Sequence, residues 1–273
     1  MTKQHFSKSL LGVLILALIF SFLAVVTVSA SKNREPVDRA VFIHYPKGFE
    51  NRPDVLSQLG QERRGAKPEI NCPDPNTCRD YKYSGIHWAS MPVNYVIDPR
   101  NGDSVSPVDI QVAIEKGFAT WSAAEPIAVF IDKNSNATVT GDPTSSMDKL
   151  NSFLFKDISA QYPNALAVTF VWYYRFSKTI AEADTVFNDA YNWSYTDPAT
   201  IPMTGNYGDY ANTGISTYDV GNIATHEQGH WLMLNDLYSN RDSELTMYGY
   251  GALGELKKIS LGLGDKLGIQ KIY

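Results

Sequence analysis

Hydrophobic and polar positions change period several times along this chain, and the changes divide it into elements. Val93-Asn94-Tyr95-Val96-Ile97 alternates and is rich in β-formers, which predicts a strand ending in the turn at residues 98–102. The period then becomes helical. Ser106 is placed to cap, Pro107 suits a first helical position, and Ile110, Ile114, Phe118 and Trp121 recur at intervals of three and four. Residues 127–131 read as the next strand, 132–146 as a polar loop, and 165–174 as a strongly apolar strand. Residues 179–188 alternate less cleanly but carry Thr185, Val186 and Phe187, and read as another strand. Residues 189–218 hold several prolines and glycines and form a long irregular stretch. Helical spacing returns over 220–234, and a short helix over 265–272 closes the chain.

The residues before 83 have a different texture. Residues 31–82 are rich in Pro, Gly and charge, with one short strand expected at Val41-Phe42-Ile43-His44-Tyr45 and an exposed linker at 60–68. Such a segment buries little by itself, so it is a propeptide or an arm packed on the domain formed by 83–273. Residues 1–30 read as a signal peptide: Lys3 and Lys8, an apolar run over 10–28, and Val28-Ser29-Ala30 as the cleavage site. The run is about long enough to span a bilayer, so a retained N-terminal anchor is the alternative, and the only membrane association expected. Either way the remainder is expected outside the cell, secreted or at the cell surface.

Composition adds limits. The chain has 273 residues, 44% hydrophobic and 19% charged, enough for one substantial domain plus an appendage. Its formal charge is −5, and there is no basic cluster, so nucleic acid is not an expected partner. Cys72 and Cys78 are the only cysteines, and in an oxidising compartment such a pair is most simply a disulfide. The sequons Asn136-Ala137-Thr138 and Asn192-Trp193-Ser194 matter only in a glycosylating host.

The candidate chemistry lies in His226-Glu227-Gln228-Gly229-His230. Histidines four apart on a helix stand about 40° apart around its axis and about 6 Å apart along it, so both imidazoles can reach one ion. Glu227, beside the first, can serve a water rather than the metal. With only five histidines in the chain, chance is a poor explanation. A zinc site needs a third ligand. No histidine follows His230; His44 lies in the 31–82 segment, and His87 beside Trp88 reads as structural. Asp236, Asp242, Glu244 and Glu255 remain, of which Asp236 is best placed for the chain to turn back to the same ion.

At residues 226–236 the sequence resembles the metzincin signature HExxHxxGxxH/D, in its aspartate variant. Met247, eleven positions later, resembles the Met-turn methionine, and Met247-Tyr248 is similar to the matrixin pair. Residues 264–273 resemble the closing helix of matrixin catalytic domains; the helix ending in Trp121 and residues 183–188 also look matrixin-like. The resemblance spans about 83–273. It implies an α+β fold: a twisted, mixed five-stranded sheet packed on two long helices, with an irregular C-terminal subdomain carrying the Met-turn and closing helix. It implies an exported, monomeric zinc endopeptidase acting on peptides or proteins, with Zn²⁺ on His226, His230 and Asp236 and Glu227 as general base. It further implies that strand 179–188 is a sheet edge on which substrate adds, and that Tyr248 and Tyr250 wall a pocket.

The sequence departs from the family at three places. Met233 stands where the signature has glycine, and Asn235 could take over the turn. Gly249 stands where an astacin has a tyrosine ligand. Residues 31–82 lack a cysteine-switch sequence. No loop matches the matrixin calcium sites, so Ca²⁺ stays open without assigned ligands. Two other readings compete: Glu255 as third ligand in a gluzincin arrangement, and a non-catalytic surface-binding module with a structural zinc.

Overall fold

Ten consecutive residues of the N-terminal segment, Val37–Pro46, form strand β1 of the central sheet. The structure, a computed structural model, describes residues 35–49, 63–64, 72, 74–200 and 215–273. The expected leader and most of the expected linker lie outside the described residues.

The remaining strands of the sheet are β2 (Val93–Asp98), β3 (Phe130–Asn134), β4 (Ser152–Lys156), β5 (Ala167–Tyr174), β6 (Ile180–Asn188) and β7 (Tyr250–Gly251). Their spatial order is β7-β1-β5-β6-β4-β2-β3, seven strands where five were expected. The short strand expected at 41–45 joins the sheet as part of β1, and β4 and β7 correspond to no expected strand. β1 runs antiparallel to β5 over eight register pairs, from Val37↔Tyr174 to His44↔Ala167, and parallel to β7 through Tyr45↔Tyr250 and Pro46↔Gly251. β6 is therefore interior, paired with β5 on one side and β4 on the other, which corrects its expected edge position. The strand expected at 127–131 begins later, because pairing starts at Val93↔Phe130 while Ile127 stays 54% exposed. β4 was not foreseen: its first three residues are all buried between two parallel neighbours, so no alternation marks it.

Two helices pack on one face of the sheet. α1 (Pro107–Ala124) begins as its sequence dictates, with Ser106 Oγ accepting from Asp109 N at 3.1 Å. α2 (Val220–Trp231) is capped by Asp219, which accepts from Asn222 N at 2.8 Å, and all twelve of its residues are buried. Ile110, Ile114 and Phe118 of α1 join Val220, Ile223 and Trp231 of α2 and Phe153, Val171 and Phe187 of the sheet in the main core. The helices approach closely. Gln228 donates to the Ile114 carbonyl at 2.7 Å and Trp121 to the Thr225 carbonyl at 2.8 Å, which fixes the rotation of α2 about its axis.

A third helix, α3 (Leu263–Ile272), packs with Trp121, Leu234, Leu245 and Met247 in a second core. Cys72 and Cys78 are bonded and buried there. The Pro75 carbonyl, inside their loop, accepts from Leu263 N at 2.7 Å, which ties the loop to the start of α3. Among the described residues no helix is long and apolar enough to cross a membrane.

Candidate metal centre

α2 stops at Trp231, short of the expected Leu234, because Met233 takes a left-handed backbone with φ 63°. The turn stays at the position where glycine was expected, and Asn235 does not assume it. A non-glycine residue there costs about 1–2 kcal/mol, which neighbouring bonds offset: Met233 N donates to the His230 carbonyl at 2.8 Å and Leu234 N to the Gly229 carbonyl at 2.9 Å. The reversed chain delivers Asp236 to the histidines.

Three side-chain atoms then converge. His226 Nε2 lies 3.2 Å from His230 Nε2 and 3.1 Å from Asp236 Oδ1, and His230 Nε2 lies 3.5 Å from the same oxygen. Tetrahedral zinc with bonds of about 2.0–2.1 Å needs ligand atoms about 3.3–3.4 Å apart. Both rings are held in one tautomer: His226 Nδ1–H donates to the Thr246 carbonyl at 2.7 Å and His230 Nδ1–H to the Leu234 carbonyl at 2.8 Å. With neutral rings both Nε2 atoms turn lone pairs inward, and Asp236 Oδ1 is buried without a hydrogen-bond donor. Such a set of facing acceptors is what a cation satisfies. Asp236 Oδ2 accepts from Tyr238 OH at 3.1 Å, which orients the carboxylate.

The electrostatics of the metal-free side chains follow from depth. Burial pushes His226 down to about 4. Burial works against charge on His230 and Asp236 as well, but their mutual attraction prevails, holding His230 above and Asp236 well below their usual ranges. Burial pushes Glu227 up to about 7. Its Oε2 accepts from Thr169 Oγ1 of β5 at 2.6 Å, and Oε1 has no hydrogen-bond partner.

Beneath the histidines runs a second layer. Asp265 of α3 accepts from the backbone N–H groups of Thr246 (2.9 Å), Met247 (3.1 Å) and Gly262 (2.9 Å). Lys258, fully buried, donates to the carbonyls of Thr246 and Tyr248. Burial lowers its ammonium to about 8. Thr246 thus presents its carbonyl to His226 from a turn pinned on both sides. Tyr248 is buried with its hydroxyl on Asn240 Oδ1, and the half-buried Tyr250 packs beside it and Tyr238.

The structure separates the other candidates from this cluster. Glu255 accepts from Ala252 N at 2.9 Å and faces Lys257 at 3.4 Å, so it offers no third ligand. Asp242 lies by Arg241, and Glu244 accepts from Lys257. His87 sits in a bridge to Thr179. His44, expected to stand apart in the N-terminal segment, is instead fully buried at the centre. Its ring meets His226 edge-on at 4.1 Å, and its Nδ1 lies 3.6 Å from Glu227 Oε1. The overlooked signal was its place in the alternating triplet Ala40, Phe42, His44 on a strand. Thr169, Lys258 and Asp265 were also unforeseen, since nothing local marks a distant acceptor or donor.

A search of curated proteins returns no match. The family model described as matrixin, of the M10 peptidases, matches residues 87–273, a segment holding the convergent histidines, the aspartate and the glutamate. A match over that much of the chain carries the activity of the family with it, and the non-catalytic alternative falls. The chain belongs to the matrixin family of zinc metalloendopeptidases.

Proposed function

We propose that this protein is an exported endopeptidase whose zinc is held by His226, His230 and Asp236, with Glu227 as general acid–base. The single observation that carries this reading is the approach of two Nε2 atoms and one carboxylate oxygen to 3.1–3.5 Å of one another, with both rings locked so that those nitrogens point inward. When bound, Zn²⁺ polarises the scissile carbonyl and acidifies the attacking water.

The chain's own groups do the rest. Glu227 accepts the proton of the water at Oε1, the oxygen that Thr169 leaves uncommitted, and passes it to the leaving amine. Thr169 keeps the carboxylate from rotating. Met247 underlies α2 as the methionine of a Met-turn, in a turn secured by Asp265. Residues 1–30 direct export, and residues 31–82 act as a propeptide.

Zinc-loaded protein should hydrolyse casein, lose that activity to a chelator and regain it with zinc. Glu227→Ala should lower the rate by about 10²–10⁴-fold with zinc content unchanged. A Glu227→Ala protein that holds zinc and cleaves at the wild-type rate would overturn the assignment.

A further inference from the structure

We infer that β1 is a removable, self-blocking strand: residues 37–46 fill the groove between β5 and β7 where a peptide would be cleaved, and His44 stands where the attacking water is needed. This rests on the peptidase reading.

The backbone of β1 is held as an added strand is held. It pairs antiparallel with β5 and parallel with β7, and β7 has no other partner among the described strands. Removing it would bare the edge of β5, an open ladder of the kind that binds extended peptides. The strand also lies outside the segment matched by the family, which begins at residue 87. The centre beneath it is closed: His226, Glu227 and His230 are 0% exposed and Asp236 4%. A protein substrate reaches Glu227 only in the fraction of molecules whose β1 is displaced, and loss of the His44 contact raises that fraction.

The side chains of β1 are fitted to the centre. Phe42 stacks on His230 at 4.2 Å with the rings 6° from parallel, and His44 meets His226. Phe42 pairs in register with Thr169, the residue that holds Glu227. Gly251 leaves the room His44 needs, since a Cβ there would lie 3.0 Å from His44 Nε2.

A packing role does not account for His44. Neither ring nitrogen has a hydrogen-bond partner, and the facing Glu227 Oε1 has none either. The 3.6 Å between them is too long for a hydrogen bond. Leaving such groups buried and unpaired is costly. A ring nitrogen of His44, one of His226 and a carboxylate oxygen of Glu227 lie within 4.8 Å of one another, so His44 stands on the Glu227 side of a metal held by His226, where the attacking water would sit. His44 is thereby assigned as an additional metal-facing donor that competes with water.

The test compares intact wild-type protein with His44→Gln, each loaded with Co²⁺ and titrated with acetohydroxamic acid. Both should take up one equivalent of metal. The visible spectrum of the wild type should differ from that of the variant before any addition. Acetohydroxamic acid should bind His44→Gln at least tenfold more tightly, and zinc-loaded His44→Gln should cleave casein at least tenfold faster than wild type. Wild-type protein whose cobalt spectrum responds to acetohydroxamic acid as readily as that of the variant would overturn the blocking strand, and so would a wild type that responds at once where the variant fails to fold. Tighter binding by the variant with no casein cleavage by any form would leave the blocking strand standing and sink the peptidase assignment instead.

Discussion

The sulfur of Met247 occupies the space where a side chain at Gly229 would begin: a Cβ built on Gly229 would lie 2.2 Å from that Sδ and 2.9 Å from Trp121 Cζ2. The helix carrying the metal ligands therefore rests on the methionine through a bare backbone. Gly229→Ala should force the two apart. Relief of overpacking of this kind costs about 1–3 kcal/mol, against a helix-propensity gain of up to about 1 kcal/mol. The net expectation is a lower urea midpoint together with weaker zinc binding, measured by equilibrium unfolding and competition with a chromophoric chelator.

Asp265 should matter for stability more than its place near the chain end suggests. Asp265→Ala strands three buried N–H groups at Thr246, Met247 and Gly262. At about 1–3 kcal/mol each, the loss should be at least about 3 kcal/mol. Asp265→Asn should cost less, because its remaining oxygen can serve Thr246 and Gly262 while only Met247 N–H faces an NH₂. Equal losses in urea unfolding for the two variants would contradict this account.

Met233 sets strain against burial. Met233→Gly would remove about 1–2 kcal/mol of left-handed strain but would empty a fully buried site in the main core. Deleting a buried methionine costs about 2–5 kcal/mol, so the variant should be less stable by up to about 4 kcal/mol. A stabilised variant would mean that the left-handed turn, not the packing, dominates there.

Metal uptake should separate Asp236 from Glu255. Free zinc at one hundred times its Kd stabilises a folded protein by about 2.7 kcal/mol. Wild type and Glu255→Ala should show that gain in thermal unfolding, and Asp236→Ala should lose most of it. Retention of one tight zinc by Asp236→Ala would point to a different ligand set.

Asp219 gives a pH dependence. Burial raises its carboxyl to about 6, despite the backbone N–H groups it accepts from, Asn222 at the start of α2 and Thr196 in the preceding chain. The unfolded value is about 4. Between those values the folded state holds a proton that the unfolded state has lost, so this group's contribution falls as pH rises from about 4 to 6 and is level outside that window. The size is at most about 3 kcal/mol. Unfolding free energies of wild type minus Asp219→Asn, measured across pH 4–7, should decline over that window. A flat difference would count against the buried carboxyl.

What was legible in the sequence was what local spacing encodes. His226 and His230 share a helix face by arithmetic, and Ser106-Pro107 announces a helix start by itself. Asp236 could be read because the chain must reverse soon after His230, although Met233, not Asn235, makes the reversal. The burial of His44 was legible in its strand alternation, but its partners were not. Its neighbours come from β5, α2 and β7, and only the register Phe42↔Thr169 and His44↔Ala167 decides what it faces. β4 was hidden by burial on both faces, and Asp265 by the fact that its three donors lie in loops whose course no periodicity records.

The pairing of Tyr45 with Tyr250 has a consequence for the order of synthesis. The N-terminal strand is made among the first parts of the chain, and its β7 partner follows roughly two hundred residues later. At about 5–20 residues per second that is a delay of about 10–40 s. β5 is complete well before the end, so β1 can dock on one side while its other edge waits. α2, Met247 and Asp265 are also made late. Newly made chains therefore pass through a stage in which an apolar strand is half-housed and the metal ligands are unassembled, and interception by chaperones or capture by another chain would have to occur in that interval.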